Sequence, residues 1–297
     1  MPDSKNKISK LIKDTAHRIG FDACGIVTTG RLEAESRYFR EWLQQGYHAG
    51  MSYMNRNVDK RLDPSLLNEW ARSLIIMTHN YYPADNSLSE GKYKIARYAY
   101  GMDYHDILKD KLGLVVDAIE DEIGAITARV FVDSAPVMEK AWASKAGLGW
   151  IGKNSCLIKR EKGSFFFLSA IITDLELSYD EASVKDHCGN CTKCMDACPN
   201  GAIVAPGVID SNKCISYLTI EHKGNFDPEN RSMLHGWIFG CDICQEVCPF
   251  NRFSSPHDEP SFLARRELLE MTEADWKKLS EKQFLALFSG TAVERTG

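Results

Sequence analysis

No stretch of this 297-residue chain stays apolar for anything near the roughly 20 residues that a membrane span needs. The opening, MPDSKNKISKLIKDT, lacks both a signal-peptide core and a twin arginine, so residence in the cytosol is expected. A surplus of positive charge is missing too. Lys and Arg number 36 against 41 Asp and Glu, a net charge of −5, so no global basic field gathers nucleic acid and any polyanion must be held by a local patch. The chain has neither a Walker A sequence nor a dinucleotide fingerprint. It has no low-complexity tract and no internal repeat beyond two cysteine clusters. With 44% apolar and 26% charged residues it is not disordered, collagen-like or coiled-coil; it is one large globular domain or two modest ones.

What is abundant is cysteine. Eight of the ten lie within 61 positions: Cys188, Cys191, Cys194, Cys198, Cys214, Cys241, Cys244 and Cys248. In a reducing compartment such a cluster points to metal rather than to disulfides. Cys188-x2-Cys191-x2-Cys194-x3-Cys198-Pro199 reproduces the bacterial ferredoxin run, in which three closely spaced thiolates hold one 4Fe–4S cluster and the fourth ligates the other. The matching half, Cys241-x2-Cys244-x3-Cys248-Pro249, is one ligand short, and Cys214 supplies it. The expected first cluster therefore takes Cys188, Cys191, Cys194 and Cys248, and the second Cys198, Cys214, Cys241 and Cys244. Two structural zinc sites of four cysteines each would explain CxxC pairs but not the longer run. Ligands that are all thiolates, with no histidine among them, suit low-potential electron transfer. Cys24 and Cys156 stand apart and read as small core residues.

The rest of the chain mixes periodicities, as α+β or mixed α/β layers do. Ile8, Leu11, Ile12, Ala16 and Ile19 predict a helix over 5–19, stopped by Gly20, and Leu108, Leu112, Val115, Ile119 and Ile123 predict another over 105–123. Leu74–Met77, Val130–Val132 and Phe165–Ile172 read as strands. Asp133 lies just past one of these, in Val132-Asp133-Ser134-Ala135-Pro136. It suits either a catalytic acid or a helix N-cap, with Pro136 and Glu139 just after it. In Gly147-Leu148-Gly149-Trp150-Ile151-Gly152-Lys153-Asn154-Ser155 three glycines allow backbone to approach a ligand, or form a tight loop. Thr272 and Asp275 form a capping-box pair opening a predicted helix to Phe288, with Trp276, Leu279, Phe284, Leu287 and Phe288 on its apolar face.

Taken in order, these segments resemble the epoxyqueuosine reductase family of tRNA modification. The carriers are Arg97-Tyr98-Ala99-Tyr100-Gly101 with Asp103-Tyr104-His105, then the Asp133 and glycine segments and the cysteine run. Cys214-Ile215-Ser216-Tyr217-Leu218-Thr219 and Gly240-Cys241-Asp242-Ile243-Cys244-Gln245 complete the set. The resemblance implies that an epoxide on the wobble nucleoside of tRNA is reduced to an alkene, using cobalamin and two 4Fe–4S clusters. It implies Asp133 as proton donor, and cobalamin contacts from Arg61, Arg97, Asp133, Lys153, Asn154, Ser169, Ser216, Cys241 and Asp242. A reductive dehalogenase, another corrinoid iron–sulfur enzyme, and a ferredoxin-like electron carrier are the alternatives.

The expected architecture is an N-terminal cobalamin-binding α/β domain (1–179), a two-cluster ferredoxin-like module (180–257) and a short helical C-terminal segment (258–297). That segment is either a short ending or the start of a truncated helical-repeat region. Local charge for tRNA is expected from Lys153, Lys159, Arg160 and Lys162, and from Lys223 and Arg231, with Phe226 and Trp237 available to stack on bases. An external low-potential electron donor and a monomeric state are expected as well.

Overall fold

The computed structural model describes residues 2–182 and 185–296. At its centre is an antiparallel sheet of four strands, in the spatial order Ala23–Thr28, Ser73–Asn80, Phe166–Thr173 and Ala128–Phe131. The three expected strands are all in it with shifted ends: Leu74–Met77 lies inside Ser73–Asn80, Phe165–Ile172 moves by one residue, and Val130–Val132 becomes Ala128–Phe131. The fourth, Ala23–Thr28, is short and interrupted by Gly25, which weakens its apolar pattern.

Both sheet faces are covered, and strand alternation divides the core. Ile75, Met77, Phe167 and Ile171 face the helices Pro2–Ile19 and Tyr104–Ile123, which bring Ile12, Ala16, Leu108, Leu112, Val115 and Ile119. Leu74, Ile76, Ala170 and Ile172 face the helices Glu33–Gln44 and Glu139–Lys145, which bring Phe39 and Trp142. The two long helices are those expected from periodicity, and Gly20 ends the first at a φ of +104°. The mixed α/β reading is right.

The three expected stretches are stitched together rather than strung in a row. In the cysteine-rich part, Trp237–Phe239 runs parallel to Lys94–Ile95 of the N-terminal part. The tail contributes Leu268, Phe288, Ala292 and Val293 to a cluster with Ile95, Tyr100 and Phe239. A side chain at Gly101 would meet the Ser261 carbonyl oxygen at 2.4 Å, so the tail crosses where only glycine fits. The single helix expected over 272–288 is two, Glu273–Lys278 and Glu281–Phe288. Thr272 and Asp275 form the expected capping box, but Ser280 and Gln283 form a second one. The Ser280 side chain takes the Gln283 N–H, and Leu279 before it is extended.

Candidate active site and cluster sites

A cavity of about 670 Å³ opens beside the end of the strand Ala128–Phe131; Tyr53, Arg61, His105, Asp133, Glu139, Glu221 and Arg295 are among its lining. Asp133 is exposed to it and holds a left-handed φ of +53°, a conformation that aspartate tolerates better than most residues. The capping alternative for Asp133 fails. The next helix starts at Glu139 with Met138 at its N-cap, and no side chain caps it. The Asp133 carboxylate instead accepts a hydrogen bond of 2.8 Å from the Tyr104 hydroxyl.

Tyr104 is placed by its neighbour. Asp103 caps the helix Tyr104–Ile123 by accepting from the His105 N–H, and its other oxygen takes the Arg295 Nε–H at 2.6 Å. Burial alone would raise the Asp103 carboxyl, but the His105 hydrogen bonds and Arg295 outweigh it and hold the group at about 2. One aspartate therefore fixes the helix start that carries Tyr104 and His105 and also ties the tail to the cavity rim. Tyr104 stacks on Phe167 at 4.1 Å, which stiffens its aim.

Two polar atoms on this lining are buried without a protein partner, Arg61 Nε and Glu139 Oε1, and Ser169 Oγ in the strand Phe166–Thr173 is likewise unpaired. Buried polar groups are normally paired, so such orphans mark where a ligand completes the bonding. A guanidinium, a carboxyl and a hydroxyl fit the amide rim and phosphate tail of a corrinoid. Burial, with the nearby Asp133 charge, pushes the Glu139 carboxyl up to about 8. Arg61 is further held by the Tyr53 carbonyl, 3.2 Å from its Nη2.

The other expected cofactor residues lie nearer the cysteines. Arg97 and Asp242 meet each other: the buried Asp242 carboxylate accepts the Arg97 backbone N–H at 2.8 Å and its guanidinium at 3.2 Å. Arg97 also reaches Glu246 at 2.6 Å and the Asn86 side chain. Lys153 donates to the Gly189 carbonyl and Asn154 to that of Cys244. Ser216 is half-buried in the first turn of the helix Ile215–Ile220, right after Cys214. The glycine segment makes its close approach to its own chain, since a side chain at Gly149 would meet the Ile158 carbonyl oxygen at 2.4 Å.

The eight clustered thiols gather in two foursomes. Cys194 lies near Cys188 and Cys248, and Cys248 near Cys188, Cys156 and Cys191. Cys241 lies near Cys214 and Cys198, and Cys244 near Cys241 and Cys214. Cys188, Cys191, Cys194 and Cys248 line one hollow of about 200 Å³. Thiols spread around a hollow of this size suit a cage of iron and sulfide. Cys24 is in the sheet core, as expected, and burial pushes its thiol up to about 12. Cys156 is only half-buried, and its thiol lies beside that of Cys244.

The expected RNA residues fare unequally. Trp237 is 1% exposed and unable to stack on a base, because it sits in the core beside Ala96 and Ile215. Lys159 turns inward to the Thr78 hydroxyl and over the Phe166 ring, and burial lowers it to about 8. Lys162 pairs with Asp22 at 3.1 Å. Arg160 and Arg231 are exposed, Lys223 donates to the Thr296 carbonyl, and Phe226 is half-buried against His222.

Two family models match: one described as epoxyqueuosine reductase QueG, DUF1730, over residues 61–134, and one described as a 4Fe-4S double cluster binding domain over 187–251. An epoxyqueuosine reductase of Cellulophaga algicola is 49% identical over 99% of this chain and 95% of its own length. That of Escherichia coli is 38% identical over 100% of this chain and 79% of its own. The chain belongs to the epoxyqueuosine reductase family. A crystal structure of an epoxyqueuosine reductase with an epoxyqueuosine-modified tRNA-Tyr stem loop superposes with a TM-score of 0.87 at 28% identity, covering 98% of this chain and 78% of that one. One from Bacillus subtilis, with its catalytic aspartate loop swung out of the active site, gives 0.88 at 29% identity over the same shares. An epoxyqueuosine reductase is an oxidoreductase, and the cofactors of this family are two 4Fe–4S clusters and cobalamin.

Sequence reasoning missed Glu139, Glu221 and Arg295 as cavity residues. Glu139 is visible only as an acid after Pro136, and Arg295 reaches Asp103 from 192 positions away, which no local pattern reveals. Tyr104 stands in a quoted segment, but nothing in that segment pairs it with Asp133.

Proposed function

We propose that the cavity beside Asp133 is where this protein reduces epoxyqueuosine at the wobble position of tRNA to queuosine. Epoxide, two electrons and two protons give alkene and water. The observation that carries the reading is the Tyr104–Asp133 contact at 2.8 Å on a cavity whose lining holds the unpaired Arg61 Nε and Glu139 Oε1. Tyr104 donates to one carboxylate oxygen of Asp133 and leaves the other to carry the proton given to the epoxide oxygen as the ring opens. Asp133 lies on the cavity lining with a left-handed backbone. Cobalamin, when bound, supplies the low-valent metal centre through which electrons reach the substrate. Arg61 and Ser169 would hold it from the N-terminal side. Arg97, Lys153, Asn154, Ser216, Cys241 and Asp242 would hold it from the side of the cysteines.

The substrate is a tRNA, and its wobble base lies in a loop, so no duplex has to open. Lys223 and Arg231 would contact the RNA backbone, with the exposed Arg160 in support. The first foursome, Cys188, Cys191, Cys194 and Cys248, would receive electrons from an external low-potential donor and pass them to Cys198, Cys214, Cys241 and Cys244. No helix among the described residues is long and apolar enough to cross a membrane; a cytosolic monomer fits this function. Domain bounds at 1–179, 180–257 and 258–297 fit the composition shifts.

The test is anaerobic incubation of cobalamin-loaded protein with reductant and epoxyqueuosine-containing tRNA, followed by nucleoside mass analysis. Wild type should yield a nucleoside lighter by one oxygen atom. Asp133→Asn should keep iron and corrinoid yet turn over at least about 100-fold more slowly, the usual weight of a general acid. Turnover by Asp133→Asn at the wild-type rate would remove Asp133 from the mechanism.

A further inference from the structure

Trp150 opens a two-residue hairpin strand, Trp150–Ile151, paired with Leu157–Ile158 and clamped by the close approach at Gly149. Its ring is 3% exposed. It is wedged edge-on between His187, at 5.0 Å and 69°, and Phe250, at 4.9 Å and 81°. His187 immediately precedes Cys188, and Phe250 follows Cys248-Pro249. The two rings that fix the indole thus come from the flanks of the two runs that the first foursome joins. The one polar atom of the indole, Nε1–H, points at Cys188 Sγ from 3.5 Å.

We propose that Trp150 is a positioning residue for the first cluster, raising its reduction potential through an indole N–H to thiolate hydrogen bond and shielding that corner from water. The inference rests on the cluster reading above. A donor to a ligand sulfur stabilises the reduced cluster, which carries one more negative charge, more than the oxidised one. The second foursome is served differently. Cys198 Sγ accepts the Ala202 backbone N–H at 3.2 Å. The tryptophan packed near Cys241 is Trp237, and its Nε1 has no partner among the described residues. A substitution at Trp150 therefore acts on one cluster alone.

The experiment is Trp150→Phe in the full-length, anaerobically prepared protein, read by iron content and an EPR-monitored redox titration. Phenylalanine keeps an aromatic shield and removes the donor. The expected result is eight irons per chain, as in wild type, and one of two midpoints lowered. At its old midpoint that cluster's oxidised-to-reduced ratio should rise by up to about tenfold, a 59 mV shift for one electron. Eight irons with both midpoints unchanged would overturn the inference while leaving the cluster reading intact. Far fewer than eight irons in wild type would overturn the cluster reading and the inference with it. If Trp150→Phe itself loses iron, wild type with 15N-labelled indoles decides: coupling of an indole nitrogen to the reduced first cluster supports the donor, and its absence refutes it.

Discussion

The two cysteine foursomes share a spacing and differ in their surroundings. The first borders an open hollow with Lys153 and Lys193 on its lining, and an indole N–H points at its Cys188. The second is set into the body of the protein: burial pushes Cys241 up to about 12, Cys244 touches Cys156, and Asp242 next door is locked to Arg97. From Cys214 a six-residue helix, Ile215–Ile220, leads straight to Glu221 on the cavity wall. The difference suits the proposed route, in which the outer site receives electrons and the inner one delivers them.

That contrast is broken most sharply by Cys214→Ala. Loss of the inner cluster should abolish queuosine formation while the first cluster's EPR signal survives, as mass analysis and EPR on one preparation would reveal. Retained turnover would mean that the inner site is not on the route. Next comes Asp133→Asn, which should leave both clusters intact and stop the chemistry at the cavity. The smallest effect concerns Glu139. Its folded carboxyl is raised to about 8 from an ordinary 4.5, so the folded state holds a proton that the unfolded chain releases. Stability from this group is present below the unfolded value and is lost as pH rises through about 8. Corrinoid-free wild type should therefore lose thermal stability between pH 5 and 8 relative to Glu139→Gln. Parallel profiles for the two proteins would show that Glu139 is not a buried neutral acid.

The cysteine module was readable because its chemistry is local. Ferredoxin spacing agrees with the double-cluster match over residues 187–251, and the same rule gives the proposed crossing of Cys198 and Cys248 between foursomes. The long helices were readable from periodicity, since Ile12, Ala16, Leu108 and Leu112 must face one core. The cavity was not. Asp133 meets Tyr104 from 29 positions away, and Arg295 arrives from the far end of the chain. Charge alone misled at Lys159, because a lysine in a basic stretch looks exposed until the fold turns it onto Thr78 and Phe166. Trp237 misled for a related reason: an aromatic is as able to fill a core as to meet a base, and its run Trp237-Ile238-Phe239 is apolar. The break at Leu279 was hidden behind an apolar face that continues across it, with Ser280 and Gln283 the signal to be read.

The crossing of thiols is tested most directly by the iron content and EPR spectrum of anaerobically prepared Cys248→Ala. The account predicts that the cluster held with Cys188, Cys191 and Cys194 is lost or altered, although Cys248 lies in the other run, while the cluster of Cys198, Cys214, Cys241 and Cys244 keeps its wild-type signal. Damage confined to the cluster of Cys241 and Cys244, with the other signal untouched, would contradict it.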